Sequence, residues 1–185
     1  MTNQNPEQIA RDNIDKQLLD CGWLIQDKSK INLAVGQGIA VKEYQTDIGP
    51  ADYILFVDKN PIGVIEAKKE AAGIELALAA ENQSAEYASA KLKYLNNDPL
   101  PFVYESTGEI TRFTDYRDPK PRSRNIFTFH RPETLAKWLK EEKTLRGRFL
   151  NLPKLNEEGL RDCQINAITK LEISFKENRP KALIQ

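Results

Sequence analysis

The sequence predicts an α/β (α+β-like) fold, a mixed sheet flanked by helices. Three observations carry this. Two apolar runs, 51–57 and 62–68, flank the turn tetrapeptide Asp58-Lys59-Asn60-Pro61 and read as a hairpin. An N-terminal stretch has helical start signals followed by spaced apolar residues. A third stretch, rich in Ala and Leu, runs from about Glu75 to Tyr94 behind Gly73 and reads as a long helix.

Taken in order, Asn5, Pro6 and Glu7 open the first helix. Asn5 can cap it, Pro6 suits its first position, and Glu7 complements its dipole. Ile9, Ile14, Leu18 and Leu19 are expected to face the core, and Gly22 to end the helix. Extended pieces follow at 23–25 and 39–44, then the hairpin and the long helix. Residues 102–105 and 110–114 suggest a second hairpin across Ser106-Thr107-Gly108. Residues 126–129 suggest a further strand, and 132–140 a short amphipathic helix on which Trp138 and Leu139 pack inward. The segment 143–153 is basic and irregular. The organisation expected is therefore a domain over 1–142, a linker over 143–158, and the beginning of another unit over 159–185. That last stretch has a helix from about Leu160 to Phe175 and an apolar strand at 181–185. An apolar strand ending the chain suggests a piece of a longer protein.

Composition narrows the class. The 185 residues hold 27 basic and 27 acidic side chains, which neither demands nor excludes nucleic acid, because binding depends on where charge sits. Cys21 and Cys163 make neither a disulfide framework nor a zinc spacing, so a reducing, cytoplasmic setting is expected. Neither has the histidine surroundings of a nucleophile. The polar N-terminus lacks a secretion signal pattern, and no apolar run reaches the ~20 residues of a membrane span.

The chemistry concentrates on the first hairpin. Asp52 lies near the start of one strand. Glu66 and Lys68 lie on the next, two residues apart and so on one face. A hairpin register can bring Asp52 close to Glu66. Charges at the end of so apolar a strand pair are expensive unless something uses them. Two carboxylates can hold a hard divalent cation such as Mg²⁺, and a neighbouring lysine can stabilise charge on a phosphate or orient a water. The spacing alone is equally compatible with a salt bridge at a strand end.

Gly49-Pro50-Ala51-Asp52, the turn and Ile65-Glu66-Ala67-Lys68 resemble the Asp…Glu-Xaa-Lys motif of the PD-(D/E)xK nuclease superfamily. Gln83 and Tyr87, four apart on one helix face, resemble the helix motif of its RecB-like branch. The stretch from Glu43-Tyr44 to Lys69 is similar to the N-terminal nuclease domain of the R (HsdR) subunit of type I restriction–modification enzymes. Leu160 to Ile168, with Gln164, is similar to the Q-motif helix of superfamily 2 helicases, and 179–185 to the strand before their phosphate loop. The resemblance implies a restriction-endonuclease-like core and Mg²⁺- or Mn²⁺-dependent hydrolysis of double-stranded DNA without sequence reading. It implies Asp52, Glu66 and the Ala67 carbonyl as metal ligands, Lys68 as the activating group, and Gln83 and Tyr87 as positioning residues. ATP would serve only the full-length protein, where Gln164 would read adenine; without the loop this stretch should not hydrolyse ATP, and Gln164 should be idle on the surface. Modification and specificity subunits would be the partners, in a prokaryotic cytoplasm and with no membrane. The alternatives are a decayed, non-catalytic DNA-binding or docking module and a stand-alone repair or junction nuclease.

Other residues have two readings. Glu7 and Glu43 are either extra site carboxylates or, for Glu7, a dipole complement and, for Glu43, an ordinary strand charge. Arg117, Lys120, Arg122 and Arg124, beside Tyr116, form either a phosphate-contacting loop or a solvated one. Lys143, Arg146 and Arg148 either do the same or join domains. Lys69 is expected to be solvated and the lone His130 structural.

Overall fold

The computed structural model describes residues 5–68, 89, 91, 92, 95, 98–179 and 183; of Glu7 it describes the backbone. The expected helix face of Gln83 and Tyr87, Lys69, and nearly all of the C-terminal strand fall outside these residues. The chain divides into two compact units, Met1–Tyr116 with Pro121–Lys140, and Arg117–Lys120 with Glu141–Gln185.

The first unit is built on one sheet. Its described strands are β1 (Leu24–Asp27), β2 (Gly38–Thr46), β3 (Gly49–Val57), β4 (Asn60–Ala67), β5 (Phe102–Ser106), β6 (Thr111–Asp115) and β7 (Arg124–Ile126), ordered in space as in sequence. The pairs β1–β2 and β4–β5 are parallel and the others antiparallel, so the sheet is mixed as the sequence implied. The β3–β4 turn is two residues long, with Asp58 at φ 48° and Lys59 at φ 70°. Two left-handed residues in succession match the twist of the strands they join.

Helix α1 (Pro6–Asp20) covers one face. Its buried stripe is Ala10, Ile14 and Leu18, while Ile9 and Leu19 are exposed. The expected stripe was therefore partly wrong. Spacings of four residues keep 10, 14 and 18 on one side, whereas 9 and 19 fall off it. Ile14 and Leu18 pack with Tyr53, Leu55, Ile65, Phe102, Tyr104 and Phe113. The opposite face gathers Ile39, Val41, Ile54, Phe56, Val64 and Val103 around Leu92 and Leu100. Gly108 turns β5 into β6 at φ 84°, and a Cβ there would meet the Ala10 carbonyl oxygen at 2.9 Å. The Gln17 side-chain amide donates to the Gly108 carbonyl at 2.6 Å, tying that turn to α1.

One strand expectation shifts. The last strand lies at 124–126, not 126–129, and Phe127 is fully exposed. An edge strand needs backbone pairing more than apolar side chains, and Arg124 and Asn125 supply it opposite Phe113 and Arg112. Helix α2 (Pro132–Lys140) forms as expected; Leu135 is buried and Trp138 packs on the aromatic cluster of Phe102, Phe113 and His130, but Leu139 is exposed.

In the second unit, α3 (Leu145–Phe149) interrupts the stretch expected to be an irregular linker. Thr144 caps it, accepting the Gly147 N–H at 3.1 Å. Helix α4 (Asp162–Lys176) starts two residues later than expected. Phe149 and Phe175 stack with centroids 5.0 Å apart. Arg146 reaches Asp118 at 3.4 Å, and the Asn178 side-chain amide donates to the Lys120 carbonyl at 3.0 Å. Gln164 is exposed, as expected; its side-chain oxygen accepts the Arg161 N–H at 2.9 Å and closes the start of its own helix. No helix among the described residues is long and apolar enough to cross a membrane.

Candidate functional site

The hydrogen-bonded register of β3 and β4 runs from the turn to the pair Tyr53–Ile65. Beyond it, Asp52 takes over the role of a backbone partner. Its Oδ2 accepts the Ala67 N–H at 2.8 Å, so Asp52 is held against the Glu66-Ala67-Lys68 segment. The sequence expectation was that the hairpin brings Asp52 close to Glu66; the bond found is to the N–H of the next residue, Ala67.

Glu66 is 7% exposed. Its neighbours Ile65 and Ala67 belong to the core beneath α1, so alternation turns Glu66 toward the other face with Val64. In the parallel β4–β5 register Glu66 stands beside Glu105, which is 4% exposed. Sequence reading missed Glu105, because a glutamate inside Phe-Val-Tyr-Glu-Ser looks like an ordinary polar strand position. Two carboxylates held out of water on neighbouring strands favour a nearby cation. Lys68 follows β4 directly, half-buried, with its N–H donating to the Ser106 carbonyl at 2.8 Å.

Arg11 is the second residue that sequence reading missed. It lies one helical step from Ile14 on the buried side of α1. Its guanidinium contacts Asp52 Oδ1 at 2.5 Å and stands 3.7 Å from Glu43 Oε1. A signal was available, since 11, 14 and 18 share the spacing of a buried stripe and a charge there needs a partner. Glu43 sits at φ 50°, an irregular position in β2 opposite the start of β3. The hydrogen bond and charge of Lys28, 2.9 Å away, hold its carboxyl below the usual carboxylate range, with Arg11 adding to this. Nearby, Asp15 takes both Lys42 and the Tyr53 hydroxyl, the latter at 2.8 Å. Burial first, then this bond, raises the Tyr53 pKa, so Tyr53 stays neutral.

The remaining candidates separate. Glu7 lies in the first turn of α1. Arg124 is in β7, its guanidinium 5.4 Å from the Phe113 ring centroid. Arg122 is exposed in the first unit, whereas Arg117 and Lys120 belong to the second. The expected single basic loop is thus divided between two units. His130 sits among Tyr104, Phe113 and Trp138, with its Nδ1 2.8 Å from the Tyr104 hydroxyl, a packing role. Among the described residues no three or more His, Cys, Asp or Glu side chains form a metal cluster. A divalent ion here would rest on fewer protein groups. The donor set of Asp52, Glu66 and the Ala67 carbonyl, all hard oxygens, fits such an ion with water and phosphate completing its shell.

Residues 26–107, from β1 through the site to β5, match the model of the second domain of the type I restriction enzyme EcoKI endonuclease subunit. The EcoKI endonuclease subunit of Escherichia coli (strain K12) is 25% identical over a 231-residue alignment. That alignment covers 96% of this chain and 20% of the relative, so the chain spans about a fifth of that protein. A solved fragment assigned to an HsdR subunit of a type I restriction enzyme from Vibrio vulnificus YJ016 has the same fold, with a TM-score of 0.51. It is 21% identical, covering all of this chain and 35% of that one. Over residues 26–107 this chain is thus similar to a domain of a type I restriction enzyme endonuclease subunit, and it shares the fold of the solved HsdR fragment.

Proposed function

We propose that this chain is the N-terminal domain of a type I restriction enzyme R (HsdR) subunit and its DNA-cutting part, a PD-(D/E)xK nuclease that hydrolyses double-stranded DNA with Mg²⁺ or Mn²⁺. The observation that carries the reading is the bond from Ala67 N–H to Asp52, which sets one carboxylate against the Glu-Xaa-Lys segment bearing the other. Asp52, Glu66 and the Ala67 carbonyl would hold the ion. When bound, the ion lowers the pKa of its water and offsets charge on the phosphate.

The chain's own groups do the rest. Burial of Glu66 keeps bulk water from competing for its oxygens. Lys68, fixed through its backbone to Ser106, would orient the attacking water or stabilise negative charge on the phosphate oxygens. Gln83 and Tyr87, on the helix expected from the sequence, would position Lys68 or the substrate. The basic residues Arg117, Lys120, Arg122 and Arg124 could add phosphate contacts without reading sequence.

In the proposed setting the full subunit works in a prokaryotic cytoplasm with modification and specificity subunits. ATP drives translocation there, and Gln164 belongs to the start of the motor. The test uses that complex. With Lys68→Ala in the full subunit, ATP hydrolysis should persist while DNA stays uncut. Equal cutting by the variant would remove Lys68 from the site.

A further inference from the structure

One contact has no place in the nuclease reading. Asp52, a proposed metal ligand, already carries a cation. The Arg11 guanidinium lies 2.5 Å from Asp52 Oδ1, and the Asp52 side chain is only 12% exposed. A divalent ion on Asp52 would share that carboxylate with a fixed positive charge a few ångströms away. Like charges at such range in a partly buried site repel appreciably. Yet the same guanidinium has a second acceptor within reach, since Glu43 Oε1 is 3.7 Å from it. Glu43 is more exposed, and Lys28 holds its other oxygen at 2.9 Å.

We infer that Arg11 is the resident counter-cation of Asp52, competing with the divalent ion, and that Glu43 receives Arg11 when the ion binds. Arg11 is then a positioning residue, and Glu43 acts through it instead of ligating metal. The device keeps Asp52 neutralised while no ion is present, which stabilises the hairpin's open end. It also weakens metal binding until substrate phosphate adds negative charge. This inference rests on the metal-dependent reading above.

The two residues make opposite predictions, which a merely structural role would not. Mn²⁺ alone is titrated calorimetrically into the 185-residue chain, and melting temperature is followed in EDTA and in Mn²⁺. Arg11→Gln should bind Mn²⁺ about tenfold more tightly than wild type, equivalent to ~1.4 kcal/mol. It should melt lower in EDTA and gain more from the ion. Glu43→Gln should bind Mn²⁺ more weakly, because Arg11 loses the acceptor that Glu43 offers it. In the Arg11→Gln background the Glu43→Gln change should have no further effect.

Should Arg11→Gln fail to fold, Arg11→Lys serves, since a compact ammonium cannot span both carboxylates. It should bind Mn²⁺ with intermediate affinity. Arg11 variants with unchanged or weaker Mn²⁺ affinity, in a protein whose Mn²⁺ binding is lost in Asp52→Asn, would overturn this inference alone. A Glu43 effect that persists without Arg11 would make Glu43 a ligand and equally overturn it. Absence of any Asp52-dependent Mn²⁺ binding would overturn the metal reading, and this inference with it.

Discussion

The two ends of the β3–β4 hairpin share strands, sheet and core, and differ in what crosses between them. At the closed end, Leu55, Phe56, Val57 and Ile62 are all 3% exposed or less, and a two-residue turn fixes the register. At the open end the regular register stops at Tyr53–Ile65, and a carboxylate, not a carbonyl, takes the next N–H. The closed end spends its burial on apolar area, worth roughly 25 cal/mol per Å². The open end holds buried charge, which stabilises nothing unless a partner offsets its desolvation. The comparison teaches where to look for chemistry: at the point where a well-packed pair of strands stops pairing and keeps its charges.

The sharpest way to break this contrast is to neutralise the open end. In the full complex, Glu66→Gln is expected to lower DNA cutting by about 10³-fold, the usual scale for a lost electrostatic group at a reacting centre. The melting temperature of the domain should hold or rise, because a buried charge has been removed. Retained cutting, or a large loss of stability, would make Glu66 a structural residue like its neighbours. The closed end should respond the other way. Leu55→Ala should cost about 2–5 kcal/mol in urea unfolding, while the fraction that remains folded binds Mn²⁺ as wild type does. A change in Mn²⁺ affinity without loss of stability would erase the distinction between the two ends.

A smaller effect tests how α1 is held over the open end. Gly108→Ala places a methyl group against the Ala10 carbonyl at a left-handed φ. A cost of about 1–3 kcal/mol is expected. Because α1 also carries Arg11, this variant should loosen the Arg11–Asp52 contact, seen as tighter Mn²⁺ binding alongside lower stability. An unchanged affinity would show that the turn anchors the helix without tuning the site.

Much of this contrast was legible in the sequence. The hairpin announced itself because apolar strands and a turn signal are local, and both ends of the motif lie within seventeen residues. The expectation that Glu66 and Lys68 share a face came from strand alternation, and that for Asp52 from the hairpin register. What escaped depends on contacts distant in sequence. Arg11 reaches Asp52 across forty-one positions, and Glu105 stands beside Glu66 only because β5 returns parallel to β4. The helix at Leu145–Phe149 was missed because five residues with a glycine carry little intrinsic helical preference; its Thr144 cap was the available sign. The edge strand was misplaced because Ile126 and Phe127 look like strand residues, whereas the ladder selected the polar Arg124 and Asn125. The roles of Gln83 and Tyr87 lie outside the described residues and rest on the family motif.

The smallest expected effect concerns pH, and it separates packing from chemistry. His130 is the chain's single histidine. Burial first, then the charge of Arg124, lowers its pKa from an ordinary 6.5 to about 4, with Asp115 opposing. Burial likewise raises the Tyr104 hydroxyl well above its usual value, so Tyr104 donates and a neutral His130 Nδ1 accepts. Between pH 6.5 and 4 the unfolded chain binds a proton that the folded chain refuses, so stability rises with pH across that window. The stabilisation is complete above about 6.5 and is lost as pH falls toward 4. On the order of 1 kcal/mol should disappear between pH 7 and pH 5. His130→Phe should lower stability by a pH-independent amount, since Tyr104 loses its acceptor, and should remove this part of the acid sensitivity. Urea midpoints for both proteins at the two pH values give the difference directly, because the carboxylates contribute equally to both. Equal slopes would show that another group carries the acid response. His130 sits in the aromatic cluster and does not touch Asp52 or Glu66. The pH profile of DNA cutting should therefore be the same in both proteins wherever both are folded, and a shifted profile would tie this packed end to the chemistry.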